Sequence, residues 1–518
     1  DISFLLCAKE ILKNEKIYAK FATHNAHTIS SVHQLGRGKD YEFQRLYGMG
    51  ELLYQSAEKV LNLEKKPSVY APIGSYKDLL PYLVRRLLEN GANSSFINRL
   101  LDPETDANWL AENPAIRIEK EKIDIPLPKN IFTERKNSSG FDLSENSNLE
   151  NLEKSISAHK KNKINAESIY VNRDEKENVG QKVYSIANNE EIGTVIFDDP
   201  INVKSVLGNF VSEKWSKFSV QERSQILIKI SDDIEKDPSE LIFYLLNEAG
   251  KTIQNAIDEI REAIDFLRYY SRQIIEIHGK KSLQGPTGEI NKISYSPKGN
   301  YLCISPWNFP VAILIGQISA ALACGNNVVV KPSENTSILG YLIVKKFHEN
   351  GVPIETLQLI LGDGMYGDVL TKINTIHGVA FTGSLPTAKK IQTNLIQHHK
   401  EIVPLIAETG GINAMIVDSS ALLEQVTDDV VRSAFDSAGQ RCSALRVLCI
   451  QEEIYDELIE MIKGNMEIQE IGDPNNFSTD IGPIINKHAL QKLNDYIKGC
   501  KDRGMEVHNC NPFHQHSQ

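Results

Sequence analysis

Tyr301-Leu302-Cys303-Ile304-Ser305-Pro306-Trp307-Asn308-Phe309-Pro310 joins a short apolar strand to a loop that is unusually aromatic for an exposed turn. Further strand-like runs follow at Asn327 to Lys331, Leu357 to Leu361, Gly378 to Phe381 and Ile412 to Val417, with helical periodicity between them. That alternation predicts a doubly wound α/β domain, the usual home of a nucleotide site. Upstream, Trp215 to Gly250 reads as strongly helical, and Gly250-Lys251-Thr252 as a turn before another helix through Tyr270.

Two later motifs give the loop a chemistry. Glu408 lies in Ala407-Glu408-Thr409-Gly410-Gly411 and Cys442 in Gly439-Gln440-Arg441-Cys442-Ser443. A thiolate at Cys442 attacks a carbonyl, the Asn308 amide holds the oxyanion, and Glu408 activates the water that releases the acid. Each residue alone has a blander reading: a structural cysteine, a surface charge, a turn asparagine. Together they point to covalent oxidation of an aldehyde. Arg441 beside the cysteine is expected to favour its thiolate.

Strand ends supply a nucleotide site. Lys331 and Glu334 in Val329-Val330-Lys331-Pro332-Ser333-Glu334 can bond ribose hydroxyls, and the lysine can also meet a 2′-phosphate, so NAD and NADP both stay open. Gly383 and Ser384 in Phe381-Thr382-Gly383-Ser384 open a helix whose N-terminus can receive a pyrophosphate. Gly362-Asp363-Gly364-Met365-Tyr366-Gly367 fits a dinucleotide fingerprint in spacing. It lacks the acidic partner roughly 20 residues on, and reads as an ordinary strand-to-helix loop.

Composition sets outer bounds. The 518 residues suffice for several domains, and 41% hydrophobic with 24% charged residues is ordinary for globular chains. A net charge of −11 argues against binding nucleic acid through phosphates. No apolar run reaches the roughly 20 residues a bilayer requires. Seven cysteines without a C-x-x-C pair suit a reducing cytosol, not a disulfide framework. No metal site is expected, since His24 and His27 have no further ligand cluster.

Residues 1–104 alternate strand-like runs (Tyr18 to Thr23, Tyr41 to Leu46, Val69 to Pro72) with helical ones such as Asp78 to Asn90. About three strand-helix units are present, and a parallel arrangement places function at strand carboxyl ends. Residues 105–165 lose periodicity, turn rich in Asn, Ser, Lys and Glu, and read as a linker with helical pieces. Residues 166–420 are expected to form the amino-terminal and nucleotide-binding region of the α/β part, and 421–518 part of a catalytic domain.

SPWNFP, KPSE, FTGS, AETGG and GQRCS, in that order, resemble the aldehyde dehydrogenase superfamily, and Phe435 to Ala444 its glutamate-semialdehyde branch. FATHNAHT, YEFQRLYGMG, VYAPIGS and YLVRRLLENGANSSFINRL resemble the last strands and final helix of a proline dehydrogenase (β/α)8 barrel. The whole is similar to the bifunctional proline utilisation A family.

That resemblance implies Cys442 as nucleophile, Glu408 as general base and Asn308 in the oxyanion hole. It puts Lys331, Glu334, Gly383 and Ser384 on NAD, and Ser443 on the aldehyde. It puts FAD near Thr23, His24, Leu46 and Glu89, and proline against Tyr70, Arg85 and Arg86, both arginines on its carboxylate. The implied substrates are proline and glutamate semialdehyde, with a membrane quinone as electron acceptor. Family members are homo-oligomers, and the implied place is the cytoplasm, peripheral to the inner membrane.

Against the family pattern, the first barrel strands, the ribbon-helix-helix DNA-binding segment and the Glu-Val-Phe-Gly-Pro motif are not in the sequence, and Asn511 to Gln518 departs from it. The expectation is a fragment with an incomplete FAD site and weak turnover. The alternative is an inactive remnant, or a piece that works only with a separately encoded partner.

Overall fold

A computed structural model describes residues 2–91, 106, 108, 113, 126–173, 180–208, 210, 212–279 and 282–509. The chain divides into two compact units, Asp1–Ile125 and Pro126–Gln518.

The smaller unit is built on three parallel strands, Ala19–Ala22, Tyr41–Leu46 and Ser68–Tyr70, in that spatial order. Helices Ala26–Leu35 and Glu51–Leu61 connect them, and Tyr76–Gly91 follows the third. Its core is Ala8, Ile29, Val32, Phe21, Phe43 and Tyr54. Asn25 starts the first connecting helix by accepting from the backbone N–H groups of His27 and Thr28.

The larger unit centres on five parallel strands in the order Leu357–Leu359, Asn327–Lys331, Asn300–Ile304, Ile376–Gly383, Leu405–Thr409. The strand first in sequence is central. The next two extend the sheet one way and the last two the other, which is doubly wound topology. Asn327–Lys331 is buried along its whole length, as its unbroken Val328-Val329-Val330 run requires of a strand covered on both faces.

Two expectations are corrected. Asn413–Val417 is a strand, but it pairs with Leu445–Ile450 in a separate two-stranded parallel sheet. The fifth strand of the main sheet is instead Leu405–Thr409, whose short Leu-Ile-Ala run precedes Glu408. Within 105–165, residues from Pro126 onward belong to the larger unit. Helix Asn146–Ser157 places Leu152 and Ile156 in the same core as Leu241 and Leu245. Two apolar side chains one helical turn apart dock a helix whose composition is otherwise that of a tether.

Candidate active site

In open α/β sheets, ligands bind beyond the strand carboxyl ends where the winding reverses. Here that point lies between Asn300–Ile304 and Ile376–Gly383, and a cleft of about 280 Å³ opens there. Ser305, Trp307, Lys331, Glu334, Gly383 and Ser384 are among its lining residues. Lys331 is the last residue of a buried strand; its Nζ donates to the Pro332 carbonyl at 2.9 Å and lies 4.0 Å from Glu334. Burial pulls the Lys331 ammonium below its usual pKa, opposed by Glu334 and Asp363. Ser384 caps helix Leu385–His398, its Oγ accepting from the Thr387 N–H at 3.3 Å.

The cleft fits a dinucleotide. A cation and a carboxylate stand together where a ribose diol would bond, and the Ser384 helix presents backbone N–H groups for phosphate. Ser305 Oγ is buried without a partner, although its residue lines the cleft. Gly364 and Gly367 also line it, so the loop read as ordinary contributes a wall of the site.

Asn308 and the Cys442 loop meet. Asn308 Nδ2 donates to the Gln440 carbonyl at 2.9 Å, two residues before the cysteine. Cys442 is exposed, and Asn413 Nδ2 donates to its carbonyl at 2.8 Å and to that of Ala444 at 3.0 Å. Ser443 is exposed beside it. Just upstream, Ser437, Ala438 and Gly439 have φ of 53°, 56° and 66°, three left-handed residues in a row. Arg441 holds this turn: its Nη2 lies 2.8 Å from Asp436, it bonds Asn255, and its Nε donates to Ser437 Oγ at 3.2 Å. The guanidinium expected to activate the thiol therefore serves as a brace for the loop.

Glu408 is exposed on Leu405–Thr409, in register with Thr382. Gln317 Nε2 donates to Thr382 Oγ1 at 3.2 Å and to the Ile304 carbonyl at 3.3 Å. One amide thus ties the strand beside Glu408 to the strand that leads into the Asn308 loop.

In the smaller unit the expected residues gather at the strand carboxyl ends. Thr23 and His24 follow the first strand, Leu46 ends the second and Tyr70 the third. His24 is half-buried, its Nε2 has no partner, and a Cβ on Gly50 would come within 2.7 Å of its ring. Burial, with Arg45 and Arg86 adding to it, lowers the His24 pKa. An imidazole with an orphaned buried nitrogen fits a flavin's polar edge. Arg85 is exposed and Arg86 half-buried on helix Tyr76–Gly91, with the Arg86 guanidinium 5.5 Å from the Tyr82 ring centre. The Glu89 side chain, and residues 92–100 of the quoted motif, lie outside the described residues, as do Asn511 to Gln518.

Residues 172–514, more than half of the chain, match the aldehyde dehydrogenase family. The chain belongs to that family. Residues 1–99 match the proline dehydrogenase family. The chain is 41% identical to the bifunctional protein PutA of Klebsiella aerogenes, over 98% of its own length and 40% of that protein's. It therefore spans well under half of that relative. A crystal structure of proline utilization A from Bdellovibrio bacteriovorus, inactivated by N-propargylglycine, superposes with a TM-score of 0.84 at 27% identity, over 96% of this chain and 53% of that one. A 1-pyrroline-5-carboxylate dehydrogenase from Thermus with bound NAD gives 0.66 at 26% identity, over 71% of this chain and 73% of that one.

Further residues that tie these elements together were not read from the sequence: Gln317, Asn255 and the pair Lys251–Glu259. No local motif marks Gln317, Asn255 or Glu259, whose partners at Thr382, Asp436 and Val311 lie far away in sequence. The one available signal was Glu259, a charge that shares a helix face with Ala256 and Ala263. Among the described residues no cluster suits a metal ion, and no helix is long and apolar enough to cross a membrane.

Proposed function

We propose that the larger unit oxidises glutamate γ-semialdehyde to glutamate with NAD, through a thioester on Cys442. We propose further that the smaller unit contributes to FAD-dependent oxidation of proline, whose cyclic imine product opens in water to that aldehyde. The observation that carries the first part is the 2.9 Å bond from the Asn308 amide to the Gln440 carbonyl. It sets an oxyanion donor against the nucleophile's own loop, beside a cleft suited to a dinucleotide.

In this mechanism Cys442 Sγ forms a bond to the aldehyde carbon, and the carbonyl oxygen becomes an oxyanion. Asn308 Nδ2 bears two hydrogens. Gln440 accepts one and thereby fixes the amide plane, leaving the other for the oxyanion. Lys331, Glu334, Gly383 and Ser384 would hold NAD, which would supply the hydride acceptor for that carbon. Glu408 then takes a proton from water, whose oxygen attacks the thioester carbon. The carbon–sulfur bond breaks, glutamate leaves and the Cys442 thiolate is restored. Ser443 contacts the substrate.

FAD would supply a two-electron acceptor for proline, taking the hydride equivalent while the proton from the ring nitrogen passes to solvent. Thr23, His24, Leu46 and Glu89 would hold it, while Tyr70, Arg85 and Arg86 seat the amino acid, the arginines pairing with its carboxylate. The family resemblance extends the proposal to a quinone electron acceptor, a homo-oligomer, and a cytoplasmic location peripheral to the inner membrane.

The test is NADH formation by the purified protein given glutamate semialdehyde and NAD. Turnover that disappears in Cys442→Ala supports the reading. Turnover that survives that substitution, or no turnover in the parent protein, overturns it.

A further inference from the structure

Helix Ala312–Ala323 begins directly after the Asn308 loop, and its first residues carry no capping side chain of their own. The missing cap comes from elsewhere in the chain. Glu259, on helix Ile253–His278, accepts through Oε1 from the backbone N–H groups of Val311 at 2.7 Å and Ala312 at 3.2 Å. A carboxylate there also meets the positive end of the helix dipole. Glu259 Oε2 lies 2.7 Å from Lys251 Nζ, and the two side chains are 0% and 4% exposed. The same Nζ stands 3.9 Å from the centre of the Phe309 ring, next to Asn308. The Arg441 guanidinium, one residue from Cys442, is 5.7 Å from that ring centre.

Burying two charges is expensive, and an ion pair in the interior roughly breaks even against apolar packing. Stability is therefore a poor reason for this pair. Its contacts suggest a better one. Glu259 holds the backbone on the far side of Asn308, and Lys251 holds the side chain immediately after it. The loop is gripped at both points, and Asn308 Nδ2 is left facing the Gln440 carbonyl.

We propose that Lys251 and Glu259 are positioning residues for the aldehyde oxidation: a buried ion pair that clamps the Asn308 loop and sets the oxyanion donor against the Cys442 loop. This rests on the function proposed above. Neither residue touches the substrate; both act through Asn308. A misplacement of about 1 Å in such a donor can reduce turnover by about 100-fold without disturbing distant binding.

The experiment compares Glu259→Gln, Asn308→Ala and the two combined in the full chain, measuring kcat for the aldehyde and the Kd for NAD. Glu259→Gln keeps an acceptor for the Val311 and Ala312 N–H groups but removes the charge that holds Lys251. It is expected to lower kcat by about 10- to 100-fold with the Kd for NAD unchanged. In the Asn308→Ala background it should add almost nothing, because the donor it positions is gone. A purely structural role would instead multiply the two losses, and that result overturns the clamp. So does a Kd for NAD that weakens in step with kcat.

Hydrogen exchange of the backbone at 309–312 supplies a second readout that needs no turnover. Protection there should fall in Glu259→Gln and in Lys251→Met/Glu259→Gln, with the five-stranded sheet still protected. The double variant removes both charges, so it stays informative even if one single variant fails to fold. Unchanged protection at 309–312 sinks the clamp. A parent protein without turnover, but with the local exchange effect intact, sinks the functional reading and leaves the clamp as a structural device.

Discussion

The cofactor cleft and the Cys442 loop are built in opposite ways. Most of the cleft comes from one sheet, whose strands on either side of Asn300–Ile304 deliver Lys331 and Gly383 at their carboxyl ends. The cysteine loop lies outside that sheet and is exposed. It is held by bonds from distant residues: Asn308 to Gln440, Arg441 to Asn255, Asn413 to the Cys442 carbonyl. Binding is thus set by a rigid scaffold, and chemistry by a small number of replaceable ties. Substitutions in the two regions should separate affinity from turnover.

The sharpest separation should come from Cys442→Ala. It is expected to reduce aldehyde oxidation by about 10⁴-fold or more, while NAD binding measured by calorimetry stays unchanged. Parallel loss of NAD affinity would erase the distinction between the two regions. Asn308→Ala comes next, with kcat falling by about 10²- to 10³-fold as the oxyanion donor is removed. The Michaelis constant for NAD should hold, and steady-state kinetics decides it. On the cleft side, Lys331→Ala should weaken NAD binding by about tenfold, the worth of one charge-assisted hydrogen bond. Turnover at saturating NAD should be nearly normal.

The smallest effect on turnover is expected at Glu248, which supports the cleft from behind. It is fully buried and accepts from the Ile338 and Leu339 N–H groups at 2.8 and 2.9 Å, at the start of helix Ser337–Glu349. Unlike Glu259, it forms no ion pair among the described residues, and burial pushes its carboxyl from 4.5 up to about 8 against those two bonds. The folded protein then keeps a proton that the unfolded chain releases. Stability from this group is full below about pH 4.5 and is lost as pH rises towards 8. Denaturant melts across that window should decline by on the order of a few kcal/mol, and Glu248→Gln should flatten the decline. An equally steep decline in the variant would assign it to other groups.

Much of this was legible in sequence because strands end in motifs. Val328-Val329-Val330 announces a buried strand, so Lys331 and Glu334 had to fall at its carboxyl end. The same logic placed Asn308 after Ile304, Ser384 after Gly383, and Thr23, Leu46 and Tyr70 on the small sheet. What escaped is what depends on pairing across the fold. Leu405 to Thr409 is too short and too polar at its end to read as a strand until Ile376–Gly383 lies beside it. Arg441 looked like an activator of its neighbour because adjacency in sequence is visible, whereas Asp436 and Asn255 closing around it is not. Gly364 and Gly367 were discounted for want of an acidic partner, yet a glycine can line a cleft simply by being small. Leu152 and Ile156 were lost among the charged residues around them.

The left-handed run at Ser437, Ala438 and Gly439 restricts which sequences this loop can explore. An L-residue in that conformation loses roughly 1–2 kcal/mol to contact between its Cβ and the backbone, and a β-branched side chain loses more. Valine, isoleucine and threonine are therefore effectively barred from 437 and 438, whatever their surroundings. Only small residues, or asparagine and aspartate, can drift into these positions. The alphabet available just ahead of the cysteine is set by backbone geometry before any selection on catalysis acts.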